Sequence, residues 1–347
     1  MLRKLNYELG HAFLILKIFK GIVRPRLYKK VFINSIKNLL HKYSPSSAVL
    51  GLTYRCQCNC VHCSAGRYEK NIKAEMNTES WLSLMDTIDR MGVPRVNLSG
   101  GEALLREDIF EIVEHAAKKF VLILESNGQL LTEQTAKRLK RANLSCVAIS
   151  IDSFLPDTHD RLRGLKGCFQ KAVEGIINCK KNRLPCFLST YIPSERANYS
   201  DIYNLMKLAK KLGVLAVRIL PPRPVGSFSC HLKALLSKEE EGFVISKINP
   251  YLAYFKGMPA PSICGIFTRA TFYISPYGQL QPCPFMPLSF GNIQSQPLSL
   301  LLDRMWSHKI FDIEHKDCLA LNETFRNKYF KLEEGRANAG FPVEIKS

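Results

Sequence analysis

"AVLGLTYRCQCNCVHCSAG", residues 48–66, runs from an apolar strand pattern directly into a loop that holds four cysteines within eight positions. Ala48 to Thr53 reads as a buried strand. Loops at the carboxyl ends of strands are where α/β sheets bind their ligands, so the loop after this strand is the first candidate for a site. The strand pattern recurs near Arg95 to Leu98, Val121 to Glu125, Ser145 to Ile151, Pro185 to Tyr191 and Val214 to Leu220. Helical patterns separate these runs. Trp81, Leu84, Met85, Ile88 and Met91 recur at spacings of three and four, and Gly92 and Pro94 end that helix. Six strand and helix alternations predict an α/β fold with a parallel sheet, because each parallel crossover needs a helix to return the chain to the same end.

The chain has 347 residues, enough for one large domain or one domain with a smaller companion. Forty-nine Lys and Arg against 30 Asp and Glu leave a formal charge of +19, which favours an anionic partner such as a phosphate-bearing ligand, nucleic acid or a membrane surface. No specific nucleic-acid interface is expected. Twelve cysteines do not imply a disulfide framework in so long and core-rich a chain, and the start does not resemble a cleavable secretory signal. A reducing, cytoplasmic location is expected, where clustered cysteines bind metal or do redox chemistry.

Residues 1–45 are basic and apolar by turns, with Glu8 the one carboxylate, and their longest apolar run, Ala12 to Leu16, is too short to span a bilayer. This composition fits either an interfacial helix on an anionic membrane, at the inner face, or a helical extension packed on the main domain. "ILPPRPVGS", residues 219–227, reads as a linker. Beyond it a helix is expected from about Lys238, and then "FTRATFYISPYGQLQPCPFMP" predicts two short strands around a turn at Pro276 to Gly278. The expected division is residues 1–45, 46–226 and 227–347.

Cys56, Cys60 and Cys63 give a CxxxCxxC spacing on the loop after the first strand. Three thiolates on a short loop suit an iron-sulfur cubane with one iron left open. A closed zinc site is the alternative, with His62 as a fourth ligand. After the second strand, Gly100, Gly101 and Glu102 place two small residues and a carboxylate together, so backbone can approach a ligand and the carboxylate can take a bond from an ammonium group.

CxxxCxxC after the first strand of a six-fold strand and helix repeat, with GGE after the second, resembles the radical S-adenosylmethionine enzymes. The resemblance implies a partial (β/α)6 barrel and a 4Fe-4S cluster on Cys56, Cys60 and Cys63. Its open iron would bind the amino and carboxylate groups of S-adenosylmethionine. Cys58 is then a bystander. By the same resemblance Gly100, Gly101 and Glu102 hold the methionyl amine, and Ser126 and Asn127 meet the ribose or methionyl moiety. Ser150 and Asp152 face inward, and Arg163 reaches a carboxylate, while His159 and Asp160 are as well explained by capping. The implied reaction is reductive cleavage to methionine and a 5'-deoxyadenosyl radical that takes a hydrogen atom from substrate, with an electron donor such as flavodoxin or ferredoxin.

Cys264, Gly278 and Cys283, with Cys318 later, resemble the SPASM auxiliary-cluster extension of that family, although none of the further cysteines comes after Cys318. The shorter twitch relative fits better and implies one auxiliary 4Fe-4S cluster on Cys264, Cys283 and Cys318. The fourth ligand would come from another cysteine such as Cys230, from a non-cysteine group or from substrate. Cys146, Cys168, Cys179 and Cys186 sit among apolar neighbours and are expected to be core. Three functional readings compete: a radical enzyme acting on a small-molecule or lipid-like substrate with oxidative outcome, a radical maturase of a precursor peptide, and a non-catalytic cluster- or zinc-binding regulator. The last leaves the GGE and strand-end motifs without a role.

Overall fold

The computed structural model describes residues 2–40, 44–66, 68, 70–71, 74–229, 231–255, 264–311, 318–330 and 342–345. Six strands stand where the sequence pattern puts them: β1 (Ser47–Gly51), β2 (Arg95–Ser99), β3 (Val121–Ser126), β4 (Cys146–Ser150), β5 (Cys186–Tyr191) and β6 (Val217–Leu220). Each pairs in parallel with the next. The crossovers are α3 (Thr78–Arg90), α4 (Ile109–Ala117), α5 (Glu133–Arg141), the pair α6 (Pro156–Arg163) and α7 (Cys168–Lys181), and α8 (Tyr199–Leu212). Helix starts are set by side-chain caps: Asn77, Thr132 and Asn198 each accept from a backbone N–H three residues on.

Strand alternation divides the apolar side chains into two cores. Leu122 and Leu124 of β3, Val147 and Ile149 of β4 and Leu188 of β5 pack with the crossover helices. Val121, Ile123, Cys146, Ala148 and Phe187, on the other face, form a second cluster inside the curve of the sheet. That inner cluster lies at the strand starts and is closed by the chain's first helix, α1 (Leu2–Ile22), through Leu14, Ile18 and Ile22 at helical spacing. Burying each such side chain contributes about 1.5–3 kcal/mol, so α1 is part of the barrel floor. The next helix, α2 (Pro25–Leu39), runs beneath the crossover helices, where Arg26 donates to the Ala117 carbonyl at 2.6 Å and Lys30 to Asp89 at 2.6 Å. The packed-extension reading of residues 1–45 therefore holds for one face of these helices. Among the described residues no helix is long and apolar enough to cross a membrane.

Two features exceed the sequence expectation. After α9 (Lys238–Lys247), closed by a Ser237/Glu240 capping box, a short strand β7 (Ala253–Phe255) extends the sheet beside β6. The hairpin expected in the C-terminal part is present as β8 (Thr271–Ile274) and β9 (Leu280–Gln281), and β8 pairs in parallel with β1. The sheet order is β7-β6-β5-β4-β3-β2-β1-β8-β9. The hairpin thus covers the free edge of β1, which would otherwise expose unpaired backbone groups. A two-stranded ladder of β10 (Leu288–Ser289) with β11 (Val343–Glu344), α10 (Leu298–Trp306) and α11 (Glu323–Tyr329) complete the described chain.

Candidate active site

The cysteine loop leaves the carboxyl end of β1 and is fastened at three points. At its root, Gly101 N–H donates to the Thr53 carbonyl at 2.6 Å and Glu102 N–H to Arg55 at 2.8 Å. A Cβ on Gly101 would stand 2.2 Å from the Arg55 carbonyl oxygen, so this glycine is required by loop backbone. At the loop's middle, Asn59 and Val61 donate to the carbonyls of Arg163 and Leu162, both at 3.0 Å, which ties the loop to the end of α6. At its far side, Ser227 N–H donates to the Cys63 carbonyl at 2.9 Å. Here Gly226 has φ +58, and a Cβ on it would meet the same oxygen at 2.2 Å.

Cys56, Cys60 and Cys63 are half-buried on this loop, whereas Cys58 is buried. The Cys58 sulfur lies 3.8 Å from that of Cys168 at the start of α7. Two N–H donors approach the loop's sulfurs: Asn127 Nδ2 lies 3.5 Å from Cys58 Sγ and 3.6 Å from Cys56 Sγ, and an Arg163 guanidinium nitrogen 3.8 Å from Cys60 Sγ. Among the described residues no group of three or more His, Cys, Asp and Glu side chains is set to hold a single metal ion. A cubane asks for something different, since its thiolates bind different irons. Three half-exposed thiols on one fastened loop, with donors aimed at their sulfurs, fit that group.

Glu102 is fully buried beside the loop. Its carboxylate accepts from Asn127 N–H at 2.7 Å, Ser126 Oγ at 3.2 Å and Leu104 N–H at 3.3 Å. Burial pushes its pKa up to about 7 against the pull of these bonds, as expected of a carboxylate with no cation paired to it among the described residues. A carboxylate in this setting can take a charge-assisted bond from an ammonium group. Ser126 and Asn127 therefore stand beside Glu102 and the cysteine loop, as the motif series suggests.

Asp152 and Arg163 have found each other. Arg163 Nε lies 2.6 Å from Asp152 Oδ2, with Asp152 fully buried. His62 Nε2 lies 3.6 Å from the same oxygen, and the Tyr191 N–H donates to Oδ1 at 3.1 Å. Burial would raise the Asp152 pKa, but Arg163, His62 and His159 hold it at about 2. The His62 ring stacks on Tyr191 with centroids 4.2 Å apart, and burial drives its pKa to about 4, so it is neutral near pH 7. His159 Nδ1 accepts from the Asp152 N–H in the loop after β4, and Asp160 caps the start of α7 through Gly167 and Phe169, so one satisfies the loop and the other a helix start. Ser150 is half-buried at the end of β4, paired in register with Ser189. Sequence reading did not find the inner-face pair beside it: Arg218 binds both oxygens of Glu125, at 2.9 and 2.5 Å, and also Ser189, while Asn97 donates to Glu125 at 2.8 Å.

In the C-terminal part, Cys264, Cys283 and Cys318 come together. A hydrogen bond from the Cys264 thiol draws the Cys318 pKa down, and burial pushes that of Cys283 up to about 12. Arg223 donates to Cys318, a contact the proline-rich segment around it gave no sign of. Cys230 lies outside the described residues.

Residues 50–209 match the family model described as the radical SAM superfamily. The chain is 28 % identical over 284 residues to the AdoMet-dependent heme synthase of Methanosarcina barkeri, covering 71 % of this chain and 78 % of that one. It is 26 % identical over 254 residues to the PqqA peptide cyclase of Granulibacter bethesdensis, covering 69 % and 67 %. Among solved structures, Streptococcus suis SuiB bound to S-adenosylmethionine has the same fold, with a TM-score of 0.62 at 14 % identity over 80 % of this chain and 70 % of that one.

Proposed function

Because this chain is a radical S-adenosylmethionine enzyme, working with a 4Fe-4S cluster and that cofactor, we propose that Cys56, Cys60 and Cys63 hold the cluster and that Glu102 receives the cofactor's ammonium group. When bound, the two supply a one-electron cleavage of a carbon-sulfur bond, leaving methionine and a 5'-deoxyadenosyl radical that takes a hydrogen atom from substrate. The protein's part is fixation. The α6 end and Gly226 hold the loop, Asn127 and Arg163 offer hydrogen bonds to sulfur, and α1 closes the barrel floor against water. The observation that carries this reading is the fully buried Glu102 carboxylate, with no cation paired to it among the described residues, beside three thiols on one fastened loop.

The substrate is a small molecule or lipid-like compound that loses hydrogen overall; Cys264, Cys283 and Cys318 would hold an auxiliary cluster, which would supply an electron acceptor for that oxidation. Similarity to heme synthases supports a small substrate. A precursor peptide is the second reading, favoured by similarity to PqqA peptide cyclases. Incubation of the reconstituted enzyme with reductant, cofactor and deuterium-labelled candidates separates the two. Deuterium in 5'-deoxyadenosine from a peptide, and none from small or lipid-like compounds, overturns the first reading.

Two tests concern the residues. Glu102→Gln weakens cofactor binding to the reconstituted enzyme by roughly one to two orders of magnitude, the worth of a charge-assisted bond. Unchanged affinity in an anaerobic titration would reduce the triplet to a turn that admits the loop. For the auxiliary site, the triple alanine variant of Cys56, Cys60 and Cys63 isolates the question, because iron it retains sits elsewhere. About four irons per chain are expected, lost when Cys264 and Cys283 are also replaced. A folded, reconstituted triple variant free of iron removes the auxiliary cluster from the mechanism.

A further inference from the structure

The face of α1 opposite its buried stripe is also apolar. Leu9, Phe13 and Leu16, spaced to share a helix side, are each more than half exposed. On α2 and just after it, Phe32, Ile36 and Leu40 repeat the pattern, with Phe32 66 % exposed. Half of the sixteen exposed large apolar side chains among the described residues fall within residues 9–40. Scattered apolar residues on a surface are ordinary, but a helically spaced concentration marks an interaction surface.

The charge around this patch is mostly positive, with Glu8, Asp89 and Glu133 among its carboxylates. Some of α2's cations have structural work: Arg26 and Lys30 bind carbonyls at the ends of α4 and the turn after it, and Arg24 donates to the Asn143 carbonyl. Lys29 and Lys37 of α2 remain exposed, as does Lys20 near the end of α1. The crossover helices add more at the same end, because α5, α7 and α8 each finish on a pair of basic residues, the last two being Lys180–Lys181 and Lys210–Lys211. Cations at helix ends suit the helix dipole. Here, however, they also crowd one another, since burial and then the charges of Arg24 and Arg183 depress the pKa of Lys140. An apolar stripe bordered by an excess of cations is complementary to an interface that is apolar within and anionic at its surface.

We propose that the N-terminal end of the barrel is a docking surface for an anionic lipid bilayer. The helices α1 and α2 lie along the interface with Leu9, Phe13, Leu16, Phe32, Ile36 and Leu40 toward the acyl chains, and the basic helix ends meet the headgroups. Docking leaves the opposite end of the sheet, with the cysteine loop, open. The proposal stands apart from the reaction assigned above, because it concerns the other end of the fold.

The full chain should sediment with vesicles of equal parts phosphatidylcholine and phosphatidylglycerol, weakly or not at all with phosphatidylcholine alone, and less as salt rises. Phe32→Glu replaces an exposed side chain and leaves thermal unfolding unchanged, Phe13→Glu also gives up a ring contact with Tyr251, and each weakens vesicle binding roughly tenfold or more. Lys140→Glu with Arg183→Glu weakens it on anionic vesicles. Wild-type protein that stays in the supernatant, Phe variants that bind as tightly as wild type, or Phe variants whose effect is to split a dimer would each overturn the proposal, the last by naming a second copy as the occupant.

Discussion

Alanine at Cys56, Cys60 and Cys63 together abolishes formation of 5'-deoxyadenosine from S-adenosylmethionine under reductant, while alanine at Cys58 leaves it intact. The contrast rests on where the four thiols point. The three are half-buried on one loop, and donors from Asn127 and Arg163 approach two of their sulfurs. Cys58 is buried with its sulfur 3.8 Å from Cys168. Its loss removes the Cys168 contact and one of the acceptors of Asn127 Nδ2, 3.5 Å away, but no ligand. Absorbance and iron content of anaerobically reconstituted protein check the cause, since the triple variant must lose the loop cluster and the Cys58 variant must keep it. A triple variant that still made 5'-deoxyadenosine would refute the ligand assignment, and a Cys58 variant without cluster would move Cys58 into the ligand set.

The parts of this site that were legible in the sequence are the local ones. Strand alternation, the loop after β1 and the GGE after β2 are read from neighbours a few residues apart, and they stand where expected. What the glycines do was less legible. Gly101 admits the carbonyl of Arg55, 46 positions earlier, and a close approach between distant backbones leaves no periodic trace. The Glu125–Arg218 pair, 93 residues apart, is hidden for the same reason. Pairing of β8 with β1 was illegible because a short strand carries no mark of its partner, so the hairpin read as part of a separate unit when it extends the same sheet. The helix α1 is a different case. Both of its faces are apolar, so the sequence admitted two readings; the structure packs one face against the barrel floor and leaves the other exposed.

Arg163→Leu is expected to destabilise the metal-free chain by about 3–5 kcal/mol, because it strands the fully buried Asp152 carboxylate without its guanidinium. The sequence offers Arg163 a different task, that of reaching a ligand carboxylate, and stability separates the two. A guanidinium free for a ligand contributes little to the empty fold. One that neutralises a buried carboxylate at 2.6 Å contributes a great deal. Asp152→Asn combined with Arg163→Leu should recover much of the loss, since no charge then stays buried. The pH dependence gives an independent check. The Asp152 pKa is held at about 2, below its ordinary 3.8. A depressed carboxylate contributes stability that is present above the unfolded pKa and is lost as pH falls through the folded one, here from about 4 toward 2. Denaturant titrations of wild type should show that loss across this window, and those of Arg163→Leu should not. A single variant costing less than about 1 kcal/mol, the range of an exposed pair, would return Arg163 to the ligand-binding role and leave the α6 end attached to the cysteine loop by backbone bonds alone.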